Sequence, residues 1–201
     1  MAQRGWQIHL NRCIGCGACS MACKAENNTY PRSSAEVKVD KAGRIIHTSY
    51  RWVVKKESGY YPQPKCTFVT MACNHCEHPA CLAACPLSDI NDPSNENNVI
   101  VKRSSDGVVL INQETCIGCK YCMGACPYGA PQFNPVTGKV EKCTFCNHRV
   151  EKGFLPACVQ TCVGRALDVL DDFSGQTSGA NAPDGFAPSS MTKPSVAFDN
   201  D

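Results

Sequence analysis

Sixteen of the seventeen cysteines in this 201-residue chain fall into four groups of four. In order they read Cys13-x2-Cys16-x2-Cys19-x3-Cys23, Cys73-x2-Cys76-x4-Cys81-x3-Cys85, Cys116-x2-Cys119-x2-Cys122-x3-Cys126 and Cys143-x2-Cys146-x11-Cys158-x3-Cys162. The first and third follow the run C-x2-C-x2-C-x3-C, a ligand pattern of 4Fe–4S cubanes whose fourth cysteine serves the other cluster of a pair. A polypeptide of this kind wraps its backbone around inorganic centres, so much of its interior is iron and sulfide. Four such sets imply a relay of redox centres and a function in moving electrons.

Two other uses of cysteine compete with this reading. Disulfide scaffolds join distant segments, whereas most of these cysteines sit two residues from the next, too close for useful bridging. Zinc sites use two C-x2-C pairs, not triplets followed by a fourth cysteine three residues on. The formal charge of +2 excludes little by itself, because each cubane with four thiolates carries about −2. Four of them would leave the assembled protein near −6, by this rough count. Lys and Arg are scattered rather than clustered, so no basic stripe points to nucleic acid. No stretch approaches the roughly eighteen apolar residues of a membrane span. The start, Met1-Ala2-Gln3-Arg4-Gly5-Trp6, lacks the apolar core of a secretory signal. Membrane contact and any export are therefore expected to come through a partner.

The cysteine groups repeat a small unit of strand, cluster loop and short helix. Its clearest copy runs from the turn Asp106-Gly107 through the apolar Val108-Val109-Leu110-Ile111 to Cys116, with a helix from about Cys122 to Cys126 stopped by Pro127. Inside the loop, Ile117-Gly118 lets the backbone curl around a cluster, since glycine accepts the positive φ that turns amides toward sulfur. The first group matches it, with a strand at Gln7-Ile8-His9-Leu10, Ile14-Gly15 in the loop and a helix from about Ala18 to Lys24. Between groups one and two, about Ala25 to Ala72, alternation at Lys38-Val39-Asp40, Arg44 to Thr48 and Tyr50 to Val54 predicts β-strands. Val99 to Lys102 and Val108 to Ile111 flank a hairpin turn. After Leu170 the composition turns to Ser, Gly, Asn, Pro and Asp, which predicts an irregular tail.

These motifs resemble the iron–sulfur electron-transfer subunits of membrane-bound molybdopterin oxidoreductases, the DMSO reductase B-subunit type. The resemblance covers about Trp6 to Asp171. It rests on Cys73-Asn74-His75-Cys76-Glu77-His78-Pro79-Ala80-Cys81, on Cys116 to Cys122 with Cys126-Pro127-Tyr128-Gly129-Ala130-Pro131, and on Lys142, Cys143, Cys146, Arg149, Gly153, Pro156, Cys158, Val159 and Cys162. Two features bear on its details. Val163 stands where proline often follows the last group, as Pro86 and Pro127 follow groups two and three. Cys119 is kept where some nitrate-reducing relatives carry tryptophan and a 3Fe–4S centre.

The resemblance implies an α+β fold of two ferredoxin-like 4Fe–4S lobes, a pseudo-repeat. Residues 1–24 with 142–171 would form the first lobe, 25–72 a β-rich insertion, 73–141 the second lobe, and 172–201 an irregular tail contacting a partner. It also implies four 4Fe–4S clusters with crossed ligation. Cys13, Cys16, Cys19 and Cys162 would hold the first, and Cys23, Cys143, Cys146 and Cys158 the second. Cys73, Cys76, Cys81 and Cys126 would hold the third, and Cys85, Cys116, Cys119 and Cys122 the fourth. The implied partners are a molybdopterin catalytic subunit, with molybdenum or tungsten, facing the first lobe, and an integral-membrane quinone-reactive subunit facing the second. With every iron fully ligated no catalytic residue is expected, and the chain is read as a peripheral membrane protein of such a complex, on the outer face by co-export with a signal-bearing partner or, alternatively, on the cytoplasmic face. A free-standing soluble polyferredoxin and a relay in a hydrogenase or polysulfide reductase complex are the alternatives. His75, His78, Lys120 and Tyr121 read as packing or surface residues, Arg149 as a helix-face charge or partner contact, and Cys66 as a buried free thiol.

Overall fold

Single helical turns and loops carry the cysteine groups, and short strands hold those loops in place. The computed structural model describes residues 2–31, 33–39, 41, 43, 45–174 and 176–200. Met1, Asp40, Arg44 and Asp201, which bound segments expected from the sequence, lie outside them. Along the chain come β1 (Gly5–His9), α1 (Ala18–Glu26), β2 (Lys38–Val39), β3 (Ile45–Ile46), β4 (Arg51–Ser58) and β5 (Lys65–Ala72). Then follow α2 (Ala80–Ala83), β6 (Ile100–Lys102), β7 (Val109–Ile111), α3 (Tyr121–Ala125), β8 (Gln132–Asn134) and β9 (Lys139–Glu141). The last elements are α4 (Asn147–Val150), α5 (Ala157–Gln160), β10 (Leu167–Leu170) and β11 (Val196–Asp199). The mixture of antiparallel hairpins and separate short helices is α+β.

The central sheet is three strands in the order β10-β1-β11, with β1 antiparallel to β10 and parallel to β11. Because β1 is covered on both faces, Trp6 and Ile8 are buried together with Gly5 and His9. This sheet corrects the expected tail. Residues 172–201 include a 3-10 turn at Ser189–Met191 and end in a strand, and Val196, Ala197 and Phe198 are core residues. Averaged composition hid a short apolar run whose pairing partner lies at the other end of the chain.

The other strands form hairpins: β2 with β3, β4 with β5, β6 with β7 and β8 with β9. The β4–β5 hairpin dominates, pairing Arg51 with Ala72 at its root and Ser58 with Lys65 at its tip. Its root is packed into the core and its tip stands in solvent. Cys66 sits near the tip opposite Glu57 and is exposed, not buried as the sequence suggested. Of the strand expected over 44–48, the described residues 45–48 form a strand at Ile45–Ile46, while β1 ends at His9 and Leu10 opens a 3-10 turn. The apolar interior has two clusters. The larger gathers Trp6, Ile8, Leu10, Val69, Phe145, Leu167 and Phe198 with Cys19, Cys73, Cys143 and Cys158, and the smaller gathers Leu82, Ile100, Val109 and Val140 with Cys81 and Cys122.

Candidate metal centre

Each cysteine group opens with a C-x-x-C loop whose third residue has a positive φ. These are Gly15 (70°), His75 (42°), Gly118 (70°) and Phe145 (58°). The left-handed turn swings successive amides inward, as a cradle for negatively charged sulfur demands. The Phe145 N–H lies 3.4 Å from Cys143 Sγ, and the Ala166 N–H lies 3.2 Å from Cys162 Sγ. Glycine reaches this conformation without strain, whereas an aromatic residue needs its surroundings to hold it there. Phe145 is held by stacking on Trp6 (centroids 4.1 Å apart) and by the edge of His75 (5.3 Å). Each C-x3-C step then spans about one helical turn, on α1, or beginning on α2, α3 and α5.

The cysteines come together across groups. Cys13, Cys16 and Cys19 share a cavity with Cys162. Cys73, Cys76 and Cys81 share one with Cys126, and Cys116, Cys119 and Cys122 share one with Cys85. Cys146 and Cys158 are electrostatic neighbours of Cys23, Cys146 is one of Cys158, and Cys23 and Cys158 are both neighbours of Cys143. Asn27 Nδ2 bridges this last set, 3.6 Å from Cys23 Sγ and 4.0 Å from Cys146 Sγ. All seventeen cysteines are free thiols. Among the described residues no three Cys, His, Asp or Glu side chains converge on a point suited to one ion. A cubane is ligated at its corners, so its thiolates need not meet at a point. Four thiols around an apolar cavity, with amides aimed at sulfur, fit a 4Fe–4S cluster.

A family described as the 4Fe-4S dicluster domain matches residues 64–172, and one described as the 4Fe-4S binding domain matches residues 6–26. Over 199 residues the sequence is 34% identical to the B subunit of anaerobic dimethyl sulfoxide reductase from Escherichia coli strain K12, covering 98% of this chain and 88% of that one. It belongs to the iron–sulfur subunits of the molybdopterin oxidoreductases. Within that family it is 36% identical over 164 residues to the B subunit of tetrathionate reductase from Salmonella typhimurium, covering 82% of this chain and 56% of that one. It is 32% identical over 221 residues to the beta subunit of perchlorate reductase from Dechloromonas aromatica, covering 81% and 63%. Like other members it is a 4Fe–4S electron-transfer chain and not the catalytic one.

Burial sets the electrostatics of these family sites. Desolvation lifts the free thiols of Cys23 and Cys76 to about 12 and that of Cys122 to about 11, and likewise pushes Cys81 and Cys143 up. Each becomes a thiolate only when a cation replaces its proton. Opposing burial, amides of Ala130, Tyr128 and Gly129 act on Cys126, and the Thr192 hydroxyl acts on Cys76. Two cations missed by sequence reasoning are buried here. Arg51 lies among the first two cysteine sets. Lys142, 3% exposed, lines the third cavity and donates to the carbonyls of Val109 and Cys143. Lys142 carried a family signal, but nothing in Tyr50-Arg51-Trp52 marks Arg51 as inward.

The remaining candidates resolve simply. His75 is fully buried, and its Nδ1 accepts the Val109 N–H at 3.1 Å. Burial, then Lys142 and Lys102, hold its pKa well below the ordinary histidine value, so it is neutral. His78 and Tyr121 are exposed, while Lys120 caps α3 and lies 3.8 Å over the Phe133 ring. Arg149 is an intramolecular staple, donating to Glu26 (2.8 Å) and to the Leu155 carbonyl (2.9 Å). Val163, in the proline position, is exposed, and the turn is instead fixed by Gly164, where a Cβ would fall 2.3 Å from the Arg12 carbonyl oxygen.

Proposed function

We propose that the chain holds four 4Fe–4S clusters in a row and relays electrons between a molybdopterin catalytic subunit and a quinone-reactive membrane subunit. The ligands are the four crossed sets: Cys13, Cys16, Cys19 and Cys162; Cys23, Cys143, Cys146 and Cys158; Cys73, Cys76, Cys81 and Cys126; and Cys85, Cys116, Cys119 and Cys122. The observation that carries this reading is the crossing of cysteine neighbours between groups. Consecutive sets share an element: α1 bears Cys19 of the first set and Cys23 of the second. The α3 turn joins Cys122 of the fourth to Cys126 of the third. Between the second and third, Cys73 is an electrostatic neighbour of Cys143. This order favours two lobes, 1–24 with 142–171 and 73–141, meeting at that contact.

Exposure supports a relay whose ends meet partners. Cys16 and Cys119, in the first and fourth sets, are exposed, whereas all four cysteines of the second set are buried. Bound clusters supply one-electron redox chemistry, and the chain's residues insulate them and set their potentials. No helix among the described residues is long and apolar enough to cross a membrane, so docking to a membrane subunit anchors the chain. Anaerobically isolated protein should carry about sixteen irons and sixteen sulfides. Replacing Cys119 by Ser should convert one centre of four to a 3Fe–4S form by EPR. Collapse of every centre, or no change in any, would overturn the ligand assignment.

A further inference from the structure

The β4–β5 hairpin brings into the interior a charge that no carboxylate among the described residues answers. Arg51, the first residue of β4, is 1% exposed. Its Nη1 donates to Thr70 Oγ1 at 3.0 Å, and that oxygen lies 3.6 Å from Cys19 Sγ. Its guanidinium carbon stands 4.5 Å from the centre of the Trp6 ring. Nε and Nη2 are buried without an oxygen or nitrogen partner among the described residues, and the Cys158 thiol lies within reach of the guanidinium. Its electrostatic neighbours are the sulfurs of Cys158, Cys143, Cys19 and Cys23. A guanidinium does not shed its proton in a protein, so this charge is permanent.

A desolvated cation without a counter-ion is strongly destabilising, and a fold retains one where an anion answers it. The nearest anions on offer are cluster thiolates. We propose that Arg51 is the shared counter-charge of the first and second clusters, placed to favour their reduced forms; this rests on the four-cluster reading above. Reduction adds an electron, so a fixed cation makes it easier. The second cluster should gain most, since three of its four ligands, Cys23, Cys143 and Cys158, are among the sulfurs around Arg51, against Cys19 alone from the first. Arg51 acts through the ligands as a tuning residue and exchanges no electron itself.

The test is an EPR-monitored redox titration of the full chain, isolated anaerobically, as wild type, Arg51→Gln and Arg51→Lys. In Arg51→Gln at least one centre should become tenfold or more harder to reduce, about 59 mV for one electron. The centre altered by Cys119→Ser should keep its potential. Arg51→Lys, which keeps the charge, should stay near wild type. Should Arg51→Gln fail to assemble clusters, assembly in Arg51→Lys supports the counter-charge, and failure of both overturns it in favour of shape. Four intact centres with unmoved potentials in Arg51→Gln also overturn it. Wild-type protein without four centres would instead defeat the underlying reading.

Discussion

Gly118 and Gly17 share a backbone conformation, with φ of 70° and 72°, and differ in what surrounds them. A Cβ on Gly17 meets nothing within 4 Å, whereas one on Gly118 falls 2.0 Å from the Gly138 carbonyl oxygen, in the turn between β8 and β9. That oxygen belongs to backbone and cannot rotate away, and the turn is itself fixed by the Gly138 N–H on the Asn134 carbonyl at 2.9 Å. Gly17→Ala therefore costs only the left-handed conformation, about 1–2 kcal/mol. Gly118→Ala adds forced displacement of the turn, for about 2–5 kcal/mol together, or roughly 30-fold to several thousandfold against the native loop. Because Gly118 lines the cavity of Cys85, Cys116, Cys119 and Cys122, the damage should fall on that set. Iron and sulfide analysis with EPR spin counting should find Gly118→Ala missing about a quarter of its iron. One reduced signal should disappear with it, while Gly17→Ala stays fully loaded. Equal loading of the two variants would refute the steric argument, and loss of every centre in Gly118→Ala would refute its locality.

Ending the chain after Ser174 removes β11 and the segment 192–195 that receives or donates backbone bonds at Asn74, Glu77 and His78. Thr192 lines the third cavity, so metal analysis and EPR should show that centre lost first, with a lower midpoint of thermal unfolding. Glu26 pairs with Arg149 and with His148, each at 2.8 Å, and all three side chains are about a quarter exposed or more. Glu26→Gln should cost no more than about 1 kcal/mol in unfolding experiments and leave the iron content unchanged. The bond from His148, then the charge of Arg149, hold the Glu26 carboxyl below its ordinary pKa. Its small contribution is thus present above the unfolded value of 4.5 and fades as pH falls through the lower folded value. The wild-type advantage over Glu26→Gln should shrink in that acid window and hold constant at neutral pH.

What the sequence revealed was local chemistry. Gly15 and Gly118 in their loops, the helix over Ala18 and the hairpin around Asp106-Gly107 are set by residues a few positions apart, and all recur in the structure. His75 and Phe145 take the same left-handed turn, but nothing within their loops permits it. It is sustained by Trp6, whose Nε1 also donates to the Cys73 carbonyl at 3.0 Å. Residues so far apart in sequence leave no local trace. The same holds for β11, whose strand partner is β1, and for Arg51, whose inward direction is decided by Thr70 on the neighbouring strand. The β8–β9 hairpin is a different case, since Asn134 and Gly138 carried a legible turn signal that a reading centred on cysteine passed over.

The four loops differ in a way that follows their order along the proposed row of cysteine sets. In the first and fourth sets the left-handed position is glycine, and the preceding Ile14 and Ile117 are 62% and 66% exposed. In the second and third sets it is Phe145 and His75, both buried and packed on each other. A relay has opposite requirements at its two kinds of position. Its ends must come close to a partner, which favours a bare backbone loop flanked by an apolar side chain that gains by being covered. Its middle must exclude water, and aromatic rings in the loops do that where glycine would leave a gap. Excluding water strengthens the repulsion between neighbouring anionic centres. Arg51 and Lys142 are buried beside the inner sets, where that repulsion is least screened. The aromatic loops and the buried cations therefore answer one physical demand, and weakening either should disturb the middle of the row before its ends.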